Sequence, residues 1–136
     1  KNYQYRYQNF SENILINTNK TSSFSLDYSF KSKKVSEEEV DLTLHEIGVE
    51  LDRTISEKSN FQSHCKYINI EYSGSDNSIL NYELMEGLND GNNFVCGINY
   101  NNKLKNNLQI NLQYSGRKSE NSEIKHIGNM GITAYF

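Results

Sequence analysis

From residue 107 to residue 114, apolar and amide side chains alternate without a break: Leu108, Ile110, Leu112 and Tyr114 against Asn107, Gln109, Asn111 and Gln113. A period of two puts every apolar group on one side of a pleated strand, and helical spacing does not reproduce it. The alternation returns in Phe24, Leu26, Tyr28 and Phe30 against Ser23, Ser25, Asp27 and Ser29, and in Phe94, Cys96, Ile98 and Tyr100 against Asn93, Gly97 and Asn99. Further alternate apolar sets are Tyr3/Tyr5/Tyr7, Ile47/Val49/Leu51, Ile68/Ile70/Tyr72, Leu80/Tyr82/Leu84 and Met130/Ile132/Ala134/Phe136, which brings the expected strands to eight. Phe10, Ile14 and Ile16 are out of step with the Tyr3 set, and Leu42 and Leu44 with the Ile47 set, so a bulge or an early strand end is expected at each place.

Composition agrees with strands joined by polar turns. There is no Pro or Trp, while Asn (20) and Ser (16) dominate the polar residues, a mixture that disfavours long helices. Turn formers separate the strands at residues 17–22, 33–39, 56–60, 73–77, 89–92, 105–106 and 118–123, so successive strands are expected to be antiparallel neighbours in one domain, 1–136. The apolar share of 35% is low for a self-filled core, yet 10 Tyr and 6 Phe are too many for a disordered chain. A net charge of −3 excludes a broad basic footprint for nucleic acid. Neither a membrane-spanning helix nor a signal peptide is recognisable, so the chain is expected to be cytoplasmic or already processed. Cys65 and Cys96 fall in segments read as two strands apart and oppositely faced, so free thiols are expected rather than a disulfide.

Alternation alone is shared by soluble sandwiches, lipocalin-like barrels and outer-membrane barrels. Expected strands of about 10 to 14 residues exceed the usual soluble length of about 5 to 6 and suffice to cross a bilayer at a tilt. An apolar band of about 25 Å needs roughly five outward residues per strand; three or four are present, with Tyr72, Tyr82, Tyr100 and Tyr114 available for interfacial girdles. Met130, Ile132, Ala134 and Phe136 carry the alternation to the last residue, a pattern that resembles the C-terminal assembly signal of bacterial outer-membrane β-barrels. The fold expected is therefore an all-β antiparallel up-and-down transmembrane barrel of about eight strands, with residues 124–136 as its closing strand. An even count places residues 105–106 at the periplasmic side, and the loops near Asn19, Ser59, Asp90 and Asn121 outside.

The segments HEIGVEL (45–51), YELMEGLNDGNNF (82–94), NLQINLQYSGRKS (107–119) and HIG (126–128), with the terminal Phe136, resemble the C-terminal region of large outer-membrane β-barrel proteins of Bacteroidota over roughly the last two thirds of the chain. The sequence departs from that pattern at Cys96, where an aromatic is more usual, and at Thr133, where a basic residue is common. The resemblance implies an outer-membrane location, contact with outer-membrane lipid and the barrel-assembly machinery, and further strands or subunits completing a larger barrel.

Parity assigns Arg6, Asp27, Glu46, Glu50, Glu71, Glu83 and Arg117 to the lumen side, where acids outnumber bases and a dry interior would leave carboxylates unpaired. That imbalance also favours a wider, wet lumen or added strands over closure at eight. His45, His64 and His126 lack any metal-ligand spacing, and no cofactor is expected. His64 and Cys65, adjacent in a strand, must point to opposite faces. The loop Asn89–Asn93 reads as a turn, since it lacks the acidic pattern of a calcium loop. Three functions compete: a non-catalytic barrel wall serving transport, secretion or complex assembly; a soluble β-sandwich or lipocalin-like binding module; and a rim-site lipid hydrolase built on His126 with Ser115 or Ser119 and Glu123.

Overall fold

The computed structural model describes residues 5–35, 40–74, 84–104 and 107–134. Seven strands form one sheet: β1 (Tyr5–Asn19), β2 (Ser22–Val35), β3 (Val40–Ser56), β4 (Ser59–Ser73), β5 (Gly91–Lys103), β6 (Leu108–Ser119) and β7 (Lys125–Ala134). Each pairs antiparallel with its neighbour in sequence, in the spatial order β1 to β7. The sheet is not closed: among the described residues β1 pairs only with β2, and β7 only with β6.

The all-β up-and-down reading therefore holds, with seven strands in place of the eight expected. Of the set proposed as the additional strand, Leu80 and Tyr82 lie outside the described residues, and Leu84 is helical, at the head of the turn 84–88, rather than in a strand. β4 and β5 pair directly with each other, which corrects the cysteine assignment. Cys65 and Cys96 stand directly opposite each other, with Cα atoms 4.1 Å apart, and form a disulfide. The direct pairing also changes which connections share an end of the sheet. The turns at 20–21, 57–58 and 104–107 lie at one end, and the connections 36–39, 74–90 and 120–124 at the other, so the loops near Asn19 and Ser59 do not share an end with Asp90 and Asn121. The shortest turns close through their own side chains: Asn19 Oδ1 accepts from the Thr21 N–H and hydroxyl at 2.9 Å each, the local capture that makes Asn a turn former.

The two expected bulges are absent. Register runs unbroken from Tyr5 to Asn17 and from Val40 to Thr54, with shifts only beside the turns. Phe10, Ile14 and Ile16 share a face with Phe30, Leu26 and Phe24, while Tyr7 stands on the other face. Leu42 and Leu44 likewise stand opposite in facing to Ile47, because the apolar set of β3 changes face along the strand, from Val40, Leu42 and Leu44 on one side to Ile47, Val49 and Leu51 on the other. They are 0% and 1% exposed, and with Val40, Ile68, Ile70, Leu84 and Leu88 they make the hydrophobic core. This core is small and lies at the long-connection end, where the turn at 84–88 folds back onto the sheet.

Candidate functional site

Register sorts the strand residues into two faces with different chemistry. One carries Phe10, Ile14 and Ile16 of β1, Phe24 to Phe30 (even positions) of β2, Ile47, Val49 and Leu51 of β3, Cys65 and Tyr67 of β4, Phe94 to Tyr100 of β5, Leu108 to Tyr114 of β6, and Met130, Ile132 and Ala134 of β7. Few of these are covered: Phe10, Ile14, Ile47, Phe94, Met130 and Ile132 are between 48% and 69% exposed. A contiguous apolar surface of this extent is uncommon on a protein surrounded by water.

The band runs obliquely across the hydrogen-bonded rows. Its centre on β1 is near Asn13, and register carries Asn13 through Asp27, Gly48, Lys66, Val95 and Arg117 to Lys125 on β7. On β7, however, the apolar set is centred on Ile132, seven residues beyond Lys125. Seven residues of about 3.3 Å over six interstrand steps of about 4.8 Å correspond to a strand tilt of about 40° from the band's normal.

The band ends toward the long connections in a row of rings: Phe10, Phe30, His45, Tyr67, Phe94, Tyr114 and His126, one from each strand. Neighbouring rings touch, with centroids 5.0 Å apart for Phe30–His45, 5.1 Å for Tyr67–Phe94 and 6.1 Å for Tyr114–His126. Their polar tips are tied down. The Tyr28 and Tyr114 hydroxyls lie 3.1 and 2.7 Å from Nδ1 of His45 and His126, and Tyr67 donates to Asn92 Oδ1 at 2.5 Å. Of the expected girdle tyrosines, Tyr100 and Tyr114 are on this face, Tyr82 lies outside the described residues, and Tyr72 is on the opposite face against the core.

The other face is polar over most of its area. Asn13 donates to Asp27, Asn111 to Asn101 Oδ1 at 2.6 Å, and Lys66 to Glu46 Oε1 at 2.7 Å. Of the charges assigned to this side from sequence, Asp27, Glu46, Glu50 and Arg117 are there. Arg6 and Glu71 are not: continuous register puts them on the apolar side, beyond the band's long-connection border. Glu83 lies outside the described residues. Reading strict alternation through β4 with Ile68, Ile70 and Tyr72 outward inverted that strand's faces and hid Lys66. Lys31, Lys33 and Lys66 add cations to this face, so the expected excess of acid is largely offset.

At the long-connection end the polar face is covered by the turn at 84–88. Lys31 and Lys33 of β2 bind Glu86 at 3.0 and 3.2 Å, and Lys33 also donates to the Leu84 carbonyl at 2.9 Å. From the other side, Arg117 of β6 donates to the Gly87 carbonyl. In a flat sheet β2 and β6 would stand about 19 Å apart, yet their side chains converge on adjacent residues of this one turn. Burial pushes the Glu86 carboxyl up, but hydrogen bonds and charge from Lys31 and Lys33 prevail and hold it below the ordinary glutamate value.

The remaining sequence candidates do not assemble. His126 stands on the apolar side, whereas Ser115 and Ser119 stand on the polar side, so the proposed triad is not brought together. His64 and Cys65 point to opposite faces, and Cys65 is oxidised. The oxygens of the Asn89–Asn93 loop bond internally: Asp90 Oδ1 accepts from the Tyr72 N–H at 3.0 Å, and buried Asn93 donates to the Asn89 carbonyl at 2.7 Å. Of the terminal set, Met130, Ile132 and Ala134 extend the apolar band and Phe136 lies outside the described residues. Comparison with protein-family models, curated proteins and solved structures gives no match.

Proposed function

We propose that this chain is part of the wall of a bacterial outer-membrane β-barrel, a non-catalytic component serving transport, secretion or assembly of a membrane complex, within a barrel of more strands than the seven described. The observation that carries this reading is the oblique apolar band with its border of rings. Strands of transmembrane barrels tilt by about 35–45°, carry an outward apolar belt and place aromatic residues at the interfaces. A band whose normal lies at about 40° to the strands has the slant required for its edges to parallel a membrane plane.

Three further features support it. The connections alternate between shorter turns at one end and longer ones at the other, as between the periplasmic and outer sides of such barrels. On that basis the ends at 20–21, 57–58 and 104–107 face the periplasm, and the ring border faces outward. The Cys65–Cys96 disulfide suits an oxidising compartment such as the periplasm, through which the chain would pass. Finally, an open strand edge is not tolerated in hydrocarbon, so β1 and β7 need partners there; Leu15 and Ile127, exposed on the polar side of these edge strands, would be covered by them.

Fractionation and gel mobility test the proposal. The expected result is extraction only with detergent and a heat-modifiable shift of the folded species. Free solubility in buffer, with no shift, would favour the soluble binding module instead.

A further inference from the structure

The turn at 84–88 is built to stay on the polar face. Glu86 has φ of 56° and Gly87 of 74°; the left-handed region is ordinary for Gly but uncommon for Glu. Its carboxylate is thereby placed between two lysines, which are themselves only 20% and 18% exposed. Leu84 and Leu88, each 7% exposed, fill the gap over Leu42, Leu44 and Ile70. The contacts reach β2 on one side and β6 on the other, so this turn bridges the polar face at its long-connection end.

We propose that residues 84–88 form an inward-folded obstruction of the lumen, latched by Glu86 to Lys31 and Lys33, and that releasing the latch opens the outer end of the polar face to small polar solutes. This deepens the barrel-wall reading and rests on it. A latch made of ion pairs at partly wet side chains holds a segment reversibly, whereas an all-apolar contact of the same size would remain shut. Leu84 and Leu88 supply the seat, and the charges supply the release.

The test uses the assembled barrel, this chain together with the strands or subunits that complete it, purified in detergent micelles and then reconstituted in phospholipid vesicles. In micelles, hydrogen exchange is followed at the Leu88 amide, which bonds the Met85 carbonyl at 3.1 Å. Glu86→Gln, and separately Lys31→Met with Lys33→Met, are each expected to speed that exchange at least tenfold while the β3 and β4 amides stay protected. Glu86→Lys combined with Lys31→Glu and Lys33→Glu is expected to restore slow exchange. In vesicles, the two unlatched variants are expected to admit a small sugar at several times the rate of the parent chain. Unchanged exchange at Leu88 would overturn the latch. Fast exchange with unchanged sugar entry, in chains that do insert, would overturn the obstruction alone. Failure of the assembled parent protein to insert at all would instead overturn the barrel reading and the obstruction with it.

Discussion

Leu42 and Val49 lie on the same strand and on opposite faces, and their surroundings predict opposite responses. Leu42 is fully buried under the turn at 84–88, so Leu42→Ala removes packed methyl groups and leaves a cavity; a loss of about 2–5 kcal/mol is expected in denaturant titrations of the folded chain. Val49 is 38% exposed at the middle of the band. If hydrocarbon surrounds it, Val49→Arg is expected to cost about 2–4 kcal/mol when folding is measured into bilayers. Ser25→Arg, on the polar face in register with Glu50, should cost far less; equal penalties would count against a membrane-facing band. At Glu86, the carboxyl is held below its ordinary value, so its contribution to turn docking is fully present above the ordinary glutamate pKa of about 4.5 and is lost as pH falls through the lowered one. The charges facing it are Lys31 and Lys33 of β2, with Glu46 of β3 and Lys66 of β4 paired close by, and Arg117 of β6 on the adjacent carbonyl. The protection of the Leu88 amide, taken relative to the intrinsic exchange rate at each pH, is therefore expected to fall on acidification below pH 4.5 in the parent chain and to stay level there in Glu86→Gln.

At the scale of elements, the pairing of β4 with β5 is the one fastened covalently. The disulfide joins residues 31 apart in sequence and encloses the whole β4–β5 connection, including the turn at 84–88. By the loop-entropy estimate a bridge of that span restricts the unfolded chain by about 3–4 kcal/mol. Replacing both Cys65 and Cys96 with Ala is therefore expected to lower the denaturant midpoint while leaving the strand content in circular dichroism intact. Long strands whose register shifts only beside the turns need little else, because most residues of β2 to β6 pair with a neighbouring strand on both sides. The edges differ. Among the described residues, β1 and β7 contribute long rows of backbone groups with one neighbour only, a template for further pairing.

For the molecule as a whole, the band direction makes a prediction independent of any transported solute. In oriented bilayers, polarised infrared dichroism of the amide I band is expected to give a mean strand tilt of about 40° from the membrane normal. Random orientation, as from a soluble sheet adsorbed on the film, would remove the main support for the barrel reading. Among the described residues the sheet has a filled core at one end, and its other surface is either apolar and exposed or polar and open. Such a sheet is not arranged like a water-soluble sandwich, where a second layer would cover the apolar side.

Period-two alternation determined the element type, antiparallel neighbours and, for β2, β5, β6 and β7, the residues of the apolar face, because side-chain direction along a strand is a local property of the backbone. Asp27, Glu46, Glu50 and Arg117 were legible as polar-face residues for the same reason. The sequence left β3 and β4 ambiguous. Leu42, Leu44, Ile68, Ile70 and Tyr72 look like outward positions or bulges until the turn at 84–88 is laid over them and turns part of a polar face into a core. It also carried no sign of Lys31 and Lys33 as partners of Glu86, more than fifty residues away, or of Cys65 facing Cys96 across a direct pairing of β4 with β5. Those facts are decided by register and by the return of one connection across the sheet. They depend on which segments meet, and periodicity within a single strand does not encode that.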